Sequence, residues 1–327
     1  MQTKIITDTQ LAADEIVKGN AAALPTETVY GLAANALDEK AVLKIFQTKE
    51  RPLFNPLIVH VLSVSEIEKY AGEIPDSAYK LIEKYSPGPI TFVFNRKEKS
   101  KDLIPSIISS GMNSVALRIP SHNLFREVLE ISGLPVCAPS ANRFGRISPV
   151  TANDVLKELD GKIEYILDGG KCSVGIESTV ISFLEDMPVI LRPGFVTRED
   201  ISETLGEDIQ FQNTGAINSP GMLKDHYAPS KKLFIAKSDL TEADQKELSE
   251  LLQGIPGYLL LSKYPDLNIA ALNLFSELRA LDESDCNYIV ADKVKEEGLG
   301  IAINDRLTKA ATGYIKKENG KWRVIPK

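Results

Sequence analysis

Lys49-Glu50-Arg51-Pro52 sets two cations two residues apart, just ahead of Asn55 and Pro56. The helical pattern before them ends at this turn, where cations commonly complement a helix dipole. The Pro-restricted backbone that follows can also aim both side chains at one anion, with the Asn55 amide as a further donor. Arg118 stands inside the apolar run SVALRIP, and Arg192 inside VILRPG. A guanidinium within a strand must be paired, and an internal carboxylate or an anionic substrate would each serve. His60 lies in PLIVHVL, where a satisfied strand histidine is the ordinary reading. His226 belongs to His226-Tyr227-Ala228-Pro229, in a stretch with no sustained period, while His122 reads as a surface turn residue.

Groups that attack are missing. The sequence holds no GxxxxGK[ST] loop, no GxGxxG after a strand, no GxSxG elbow and no HExxH,. Its three cysteines, Cys137, Cys172 and Cys286, are scattered without a CxxC pair, which argues against a disulfide scaffold or a cysteine zinc site,. Cys137 inside an apolar strand and Cys172 beside a Gly-Gly turn read as structural. The chemistry on offer is therefore the binding and neutralising of negative charge, with no protein-bound metal.

The elements that must position these residues follow from periodicity. The chain has 327 residues, 43% hydrophobic and 25% charged, which suits about two globular domains,. A net charge of −7 has the wrong overall sign for a protein living on phosphate backbones, although a local basic cleft is compatible with it,. No apolar run is long enough to span a membrane, and MQTKIITDTQ lacks a secretion pattern, so a cytoplasmic location is expected,. The first two-thirds alternates strand-like and helical runs. Helices are expected from Thr9 to Gly19, from Asp38 to Lys49, after a Ser63/Glu66 capping box, and at 75–85, 123–131, 152–159 and 198–205,. Apolar runs at 21–25, 56–62, 90–95, 114–120, 134–139, 165–170, 178–183 and 189–194 read as strands,. Their ends carry polar clusters: Pro25-Thr26-Glu27, Arg118, Pro139-Ser140-Ala141-Asn142 and Arg192-Pro193-Gly194. An α/β sheet places functional loops at strand ends, so these clusters together read as one site.

Residues 207–230 lack a period and read as a linker or lid, with Gly221 as a hinge,. KLFIA, GYLLLS and NYIVAD then alternate with helices at about 241–253 and 270–282, and a last helix precedes Gly313. The expected organisation is a catalytic domain over 1–206, a linker over 207–230 that covers its active site, and a small parallel-sheet domain over 231–327.

PTETVYGL (25–32), FQTKERPLFNPLIVH (46–60), SPGPITFV (86–93), SVALRIP, APSAN (138–142), GIESTV (175–180) and LRPG (191–194) resemble, in this order, the YrdC-like domain. SPGMLKDHYAPS (219–230) and GLGIAINDRLTKAATG (298–313) resemble the long, two-domain threonylcarbamoyl-AMP synthases. Two positions depart from the family pattern: Ala33 stands where Gly is common, and Phe195 where Pro is common. The resemblance implies an α/β protein: a YrdC-like open twisted α/β sheet followed by a smaller Rossmann-like domain. It implies a nucleotidyltransferase that makes threonylcarbamoyl-adenylate and pyrophosphate from L-threonine, bicarbonate or CO2, and ATP. A separate transferase complex would then use the product on ANN-decoding tRNAs. By motif position, Thr26, His60, Arg118 and Ser178 would contact threonine or its carbamate. Lys49, Arg51, Asn55, Ser140, Asn142 and Arg192 would hold ATP, and Tyr227 would close over it. Lys49, Arg51 and Arg118 would carry the catalytic charge stabilisation, and Mg2+ would arrive with ATP. An RNA-binding module is the competing reading and would allow a weak tRNA contact; the acidic pI and the HYAP segment argue against it as the main activity. A hydrogenase-maturation carbamoyltransferase would need acylphosphatase and zinc-finger segments that this sequence does not carry.

Overall fold

The computed structural model describes residues 2–98, 103–212, 226–238, 240–241 and 244–327. The chain divides into two units, Met1–Phe144 with Ser148–Met222, and Gly145–Ile147 with Leu223–Lys327.

In the first unit, β1 (Lys4–Ile6), α1 (Thr9–Val17), β2 (Ala22–Leu24), β3 (Gly31–Asn35), α2 (Glu39–Lys49) and β4 (Ile58–His60) lead into α3 (Val64–Tyr70) and α4 (Asp76–Tyr85). Then come β5 (Ile90–Asn95), β6 (Ser114–Arg118), α5 (Asn123–Ser132), β7 (Val136–Cys137), α6 (Ala152–Leu159), β8 (Tyr165–Leu167), β9 (Thr179–Ser182), β10 (Val189–Arg192), α7 (Arg198–Leu205) and β11 (Gln210–Phe211). Asp38 caps α2 through the Lys40 amide, and Thr151/Asp154 and Thr197/Asp200 form full capping boxes on α6 and α7,. The box expected at Ser63 is not made. Glu66 instead accepts the Leu62 amide at 2.7 Å, one residue before the cap, while Ser63 pairs with Ser65.

The eleven strands form one mixed sheet in the order β1-β8-β2-β3-β7-β4-β6-β5-β9-β10-β11. β2, β3, β7 and β4 are successively antiparallel, whereas β4 and β6, and likewise β5 and β9, run parallel. The short strands β1, β3 and β11 were not expected from periodicity. β11 pairs with β10, so the sheet runs past residue 206. One core unites α1 and α5 with the sheet through Ala12, Ala13, Ile16, Phe125, Val128 and Leu129 against Leu24, Ala33, Val136 and Leu167. Small side chains on both helix and strand let these layers approach closely. A second core gathers Ile58, Val93, Ala116, Val180 and Leu191. Two residues beyond Ile58 and Ala116, hence on the same sheet face, stand His60 and Arg118 in direct register,.

The second unit holds β12 (Lys232–Ala236), α8 (Asp244–Leu252), β13 (Pro256–Leu259), α9 (Leu267–Glu283), β14 (Tyr288–Ala291), α10 (Leu299–Ala310), β15 (Gly313–Glu318) and β16 (Lys321–Pro326). Its sheet order is β13-β14-β12-β15-β16, with the first four strands parallel. β15 and β16 add an antiparallel hairpin beyond the last expected helix, turning at Asn319-Gly320 with φ of +51° and +79°,.

Candidate active site

Three groups of the expected residues lie in the first unit. The first forms around the end of α2. Lys49 is its last residue, and Glu50 takes the left-handed conformation (φ 55°), reversing the chain toward Arg51. The Lys49 ammonium is fully buried and donates to the carbonyls of Ser140 and Asn142, so it fixes the loop after β7. Arg51 donates through Nε to Asn55 O at 3.2 Å and through Nη2 to Pro56 O at 2.9 Å, folding the Pro52–Pro56 loop around its guanidinium. Burial, and next the neighbouring Arg51 charge, hold the Lys49 pKa well below the usual lysine range, with Glu158 opposing,. Asn55 is wholly buried, yet neither its amide nitrogen nor its amide oxygen has a partner among the described residues. Such an orphaned amide beside two buried cations is a built place for a polar anionic ligand.

The second group centres on Arg118. Its Nη2 donates to Glu27 Oε1 at 2.6 Å and to Thr28 Oγ1 at 3.1 Å, and its Nε donates to Gly88 O at 3.2 Å. Of the two partners the residue could have had, the internal carboxylate is therefore present, and its hydrogen bonds to described residues engage Nε and Nη2, leaving Nη1 over. Thr26 closes a turn: its Oγ1 donates to Val29 O at 2.6 Å and accepts the amides of Thr28 and Val29 at 3.1 Å. That hydroxyl is spent on the PTETV loop, which carries Glu27 and Thr28 to Arg118. His60 is buried beside Phe125, ring centroids 5.1 Å apart, and its Nδ1 has no partner among the described residues. Burial first, and then Arg118, push its pKa well below the ordinary histidine value, so the imidazole is neutral,.

The third group joins Ser178 to Arg192. A register shift in β10 between Ile190 and Arg192 re-aims the arginine,. Its Nε and Nη2 then donate to Ser178 O at 3.1 and 2.8 Å, and Nη2 also reaches Ser178 Oγ at 3.1 Å. Ser178 Oγ further pairs with Thr91 Oγ1 at 2.8 Å. Glu27 belongs to the Pro25-Thr26-Glu27 cluster expected at the site, without an assigned role; Thr28, Gly88 and Thr91 are partners that residue spacing did not single out.

Tyr227 is placed in the second unit, 1% exposed, in the left-handed region at φ 64°. Its ring lies 5.5 Å from Phe275 and 4.1 Å from His226, under the Arg306 guanidinium at 5.6 Å. A tyrosine held at positive φ costs about 1–3 kcal/mol and persists only where its surroundings fix it. Ala228 N donates to Gly145 O at 2.7 Å, so the HYAP segment pairs with residues 145–147, which follow Asn142 closely in the chain. Residues 213–225 of the expected linker, Gly221 among them, lie outside the described residues. The cysteines are buried, and burial raises the Cys137 and Cys172 thiols to about 12. Among the described residues no three His, Cys, Asp or Glu side chains come together as a metal site, and no helix is long and apolar enough to cross a membrane.

The first unit is a mixed α/β sheet domain that buries several cations and an orphaned amide at the ends of its strands and helices. Residues 14–194 match the Sua5_yciO_yrdC family model, described as "Telomere recombination", and residues 196–312 match that of the "Threonylcarbamoyl-AMP synthase, C-terminal domain". The chain is 38% identical to the threonylcarbamoyl-AMP synthase of Pyrococcus abyssi over 93% of its length and 94% of the relative's. It is 37% identical to that of Bacillus subtilis, over 93% of each. The crystal structure of P. abyssi Sua5 complexed with L-threonine superposes with a TM-score of 0.88 at 37% identity, covering 97% of this chain and all of that one. The chain belongs to the threonylcarbamoyl-AMP synthase family of enzymes, in its long, two-domain form.

Proposed function

We propose that this protein joins L-threonine, CO2 or bicarbonate, and ATP into threonylcarbamoyl-adenylate and pyrophosphate, in the cytoplasm, for modification of ANN-decoding tRNAs by a downstream transferase complex. The observation that carries the reading is the buried Lys49–Arg51–Asn55 group with its orphaned amide. Threonine's ammonium first gives a proton to water; the free amine then attacks carbon dioxide, the N–C bond forming as one C=O π bond opens, and a second nitrogen proton passes to water to leave the carbamate. A carbamate oxygen then attacks the α-phosphorus as the bond to the β-phosphate oxygen breaks, and pyrophosphate leaves. No protein nucleophile is needed; orientation and charge stabilisation suffice. Lys49, Arg51, Asn55, Ser140, Asn142 and Arg192 hold the nucleotide. Arg118 Nη1 takes the threonine carboxylate, the neutral His60 Nδ1 accepts the threonine hydroxyl, and Thr26 and Ser178 set the loops around them. Mg2+ enters on ATP, held by phosphate oxygens and water. Pyrophosphate release should need all three substrates. 2-Aminobutyrate, which lacks the hydroxyl that His60 would accept, should be turned over far more slowly than threonine. Release without threonine, or equal turnover of the two amino acids, would overturn this reading.

The HYAP segment acts as a lid that shields the carbamate and the mixed anhydride from water. A chain truncated after Gln212 keeps the whole eleven-stranded sheet, so it should fold while losing most adenylate formation. Tyr227→Ala in the full chain should reproduce much of that loss. Chromatographic product assays on the folded proteins decide it; full activity of the truncated chain would reduce the segment to a tether.

A further inference from the structure

Arg118 is a cation already answered within the protein. Glu27 Oε1 accepts from its Nη2 at 2.6 Å, and the two side chains are 7% and 5% exposed. The pairing has a fixed direction. Arg118 donates to Thr28 Oγ1, and since Thr26 Oγ1 spends its proton on Val29 O, Thr28 donates to Thr26. Neither threonine can turn toward another partner without breaking the relay. Two groups of opposite sign have capacity left: Arg118 Nη1, and Glu27 Oε2, whose one partner among the described residues is the Ser121 amide at 3.3 Å.

We propose that Glu27 is a specificity-determining residue that makes the Arg118 subsite select a zwitterion over a simple carboxylate. Resting on the threonine reading above, the ligand's carboxylate goes to Nη1 and its ammonium to Oε2. A carboxylate without the ammonium gains from Arg118 but must share that one cation with Glu27, which sets two carboxylates against a single guanidinium in a poorly solvated place,. A zwitterion satisfies both. Glu27 also positions Arg118, because the Nη2 contact fixes the guanidinium so that Nη1 is the donor presented.

The test is calorimetric binding of L-threonine and of (R)-3-hydroxybutanoate, which keeps the carboxylate and hydroxyl but has no amine. The wild type should prefer threonine at least about tenfold, the scale of one charge-assisted hydrogen bond. Glu27→Gln keeps the shape and removes the charge. It should weaken threonine about tenfold while (R)-3-hydroxybutanoate binds as well as before or better, and Glu27→Asp should recover part of the preference. An equal loss of both ligands in folded Glu27→Gln, or an unchanged preference, overturns the proposal alone. A wild type that binds ATP but not threonine overturns the substrate reading and this proposal together.

Discussion

Lys49→Ala should weaken ATP binding by one to two orders of magnitude and remove the loss of ATP affinity that the wild type shows as pH rises through the depressed Lys49 pKa. The buried ammonium sits beside Arg51, with its pKa pulled down by burial and by that like charge, and Glu158 as the opposing carboxylate. An arriving triphosphate favours the charged form, so binding raises the pKa back toward the ordinary 10.5,. The sign follows: the protonated lysine binds, so affinity falls as pH rises through the depressed value, and a proton is taken up on binding at pH values where the free protein holds the lysine neutral. A charge-assisted hydrogen bond of about 1.5–3 kcal/mol corresponds to roughly 10- to 150-fold in affinity. Calorimetry in two buffers of different ionisation enthalpy measures the proton count. Lys49 also ties down the Ser140 and Asn142 carbonyls, so Arg51→Ala is the companion variant, expected to lose similar affinity while keeping that loop. Unchanged ATP affinity in both folded variants would remove these cations from the nucleotide site.

Gly194→Ala is expected to be the most damaging single-methyl change near the site. A Cβ there would stand 2.3 Å from Thr179 N, 2.5 Å from Ser178 C and 2.7 Å from Glu177 O. All three are backbone atoms of the segment that leads through Ser178 into β9, and none can swing aside as a side chain could. Relief requires β9 and β10 to separate, where Arg192 holds Ser178 through three hydrogen bonds. Overpacking of this kind costs about 1–3 kcal/mol and occasionally more, and here a value at or above the upper end is expected. The urea midpoint should fall markedly, and ATP affinity should drop even where the variant remains folded. A midpoint within error of the wild type would show that the loop yields without strain.

The parts that could be read from the sequence are those with local causes. Asp38 and the Lys49 turn bound α2, and the expected spans 152–159 and 198–205 are α6 and α7, because caps and 3.6-residue periods act within a few residues,. Long-range pairing was not legible. β1, three residues long, is a strand because Lys4 finds Tyr165. β3, GLAAN, carries no alternation and is set by antiparallel neighbours on both sides. The β15–β16 hairpin is a different case. Asn319-Gly320 is a strong local hairpin signal, but the exposed polar residues of the strands beside it blur their alternation,. At the site, the cations stood out as charges in apolar runs, but the carboxylate that pairs with Arg118 lies 91 residues away, beyond any spacing rule.

The strand order also governs what the nascent chain can do on the ribosome. β1 leaves first, yet its sheet partner β8 is made some 160 residues later, and the far edge β11 later still. At about 5–20 residues per second, β1 waits roughly 8–32 s for its neighbour, whereas β2 meets β3 almost at once,. Partial sheets with open edges are the species most prone to stick to one another. Synthesis rate and chaperone supply should therefore limit the yield of this protein more than the stability of the finished fold does.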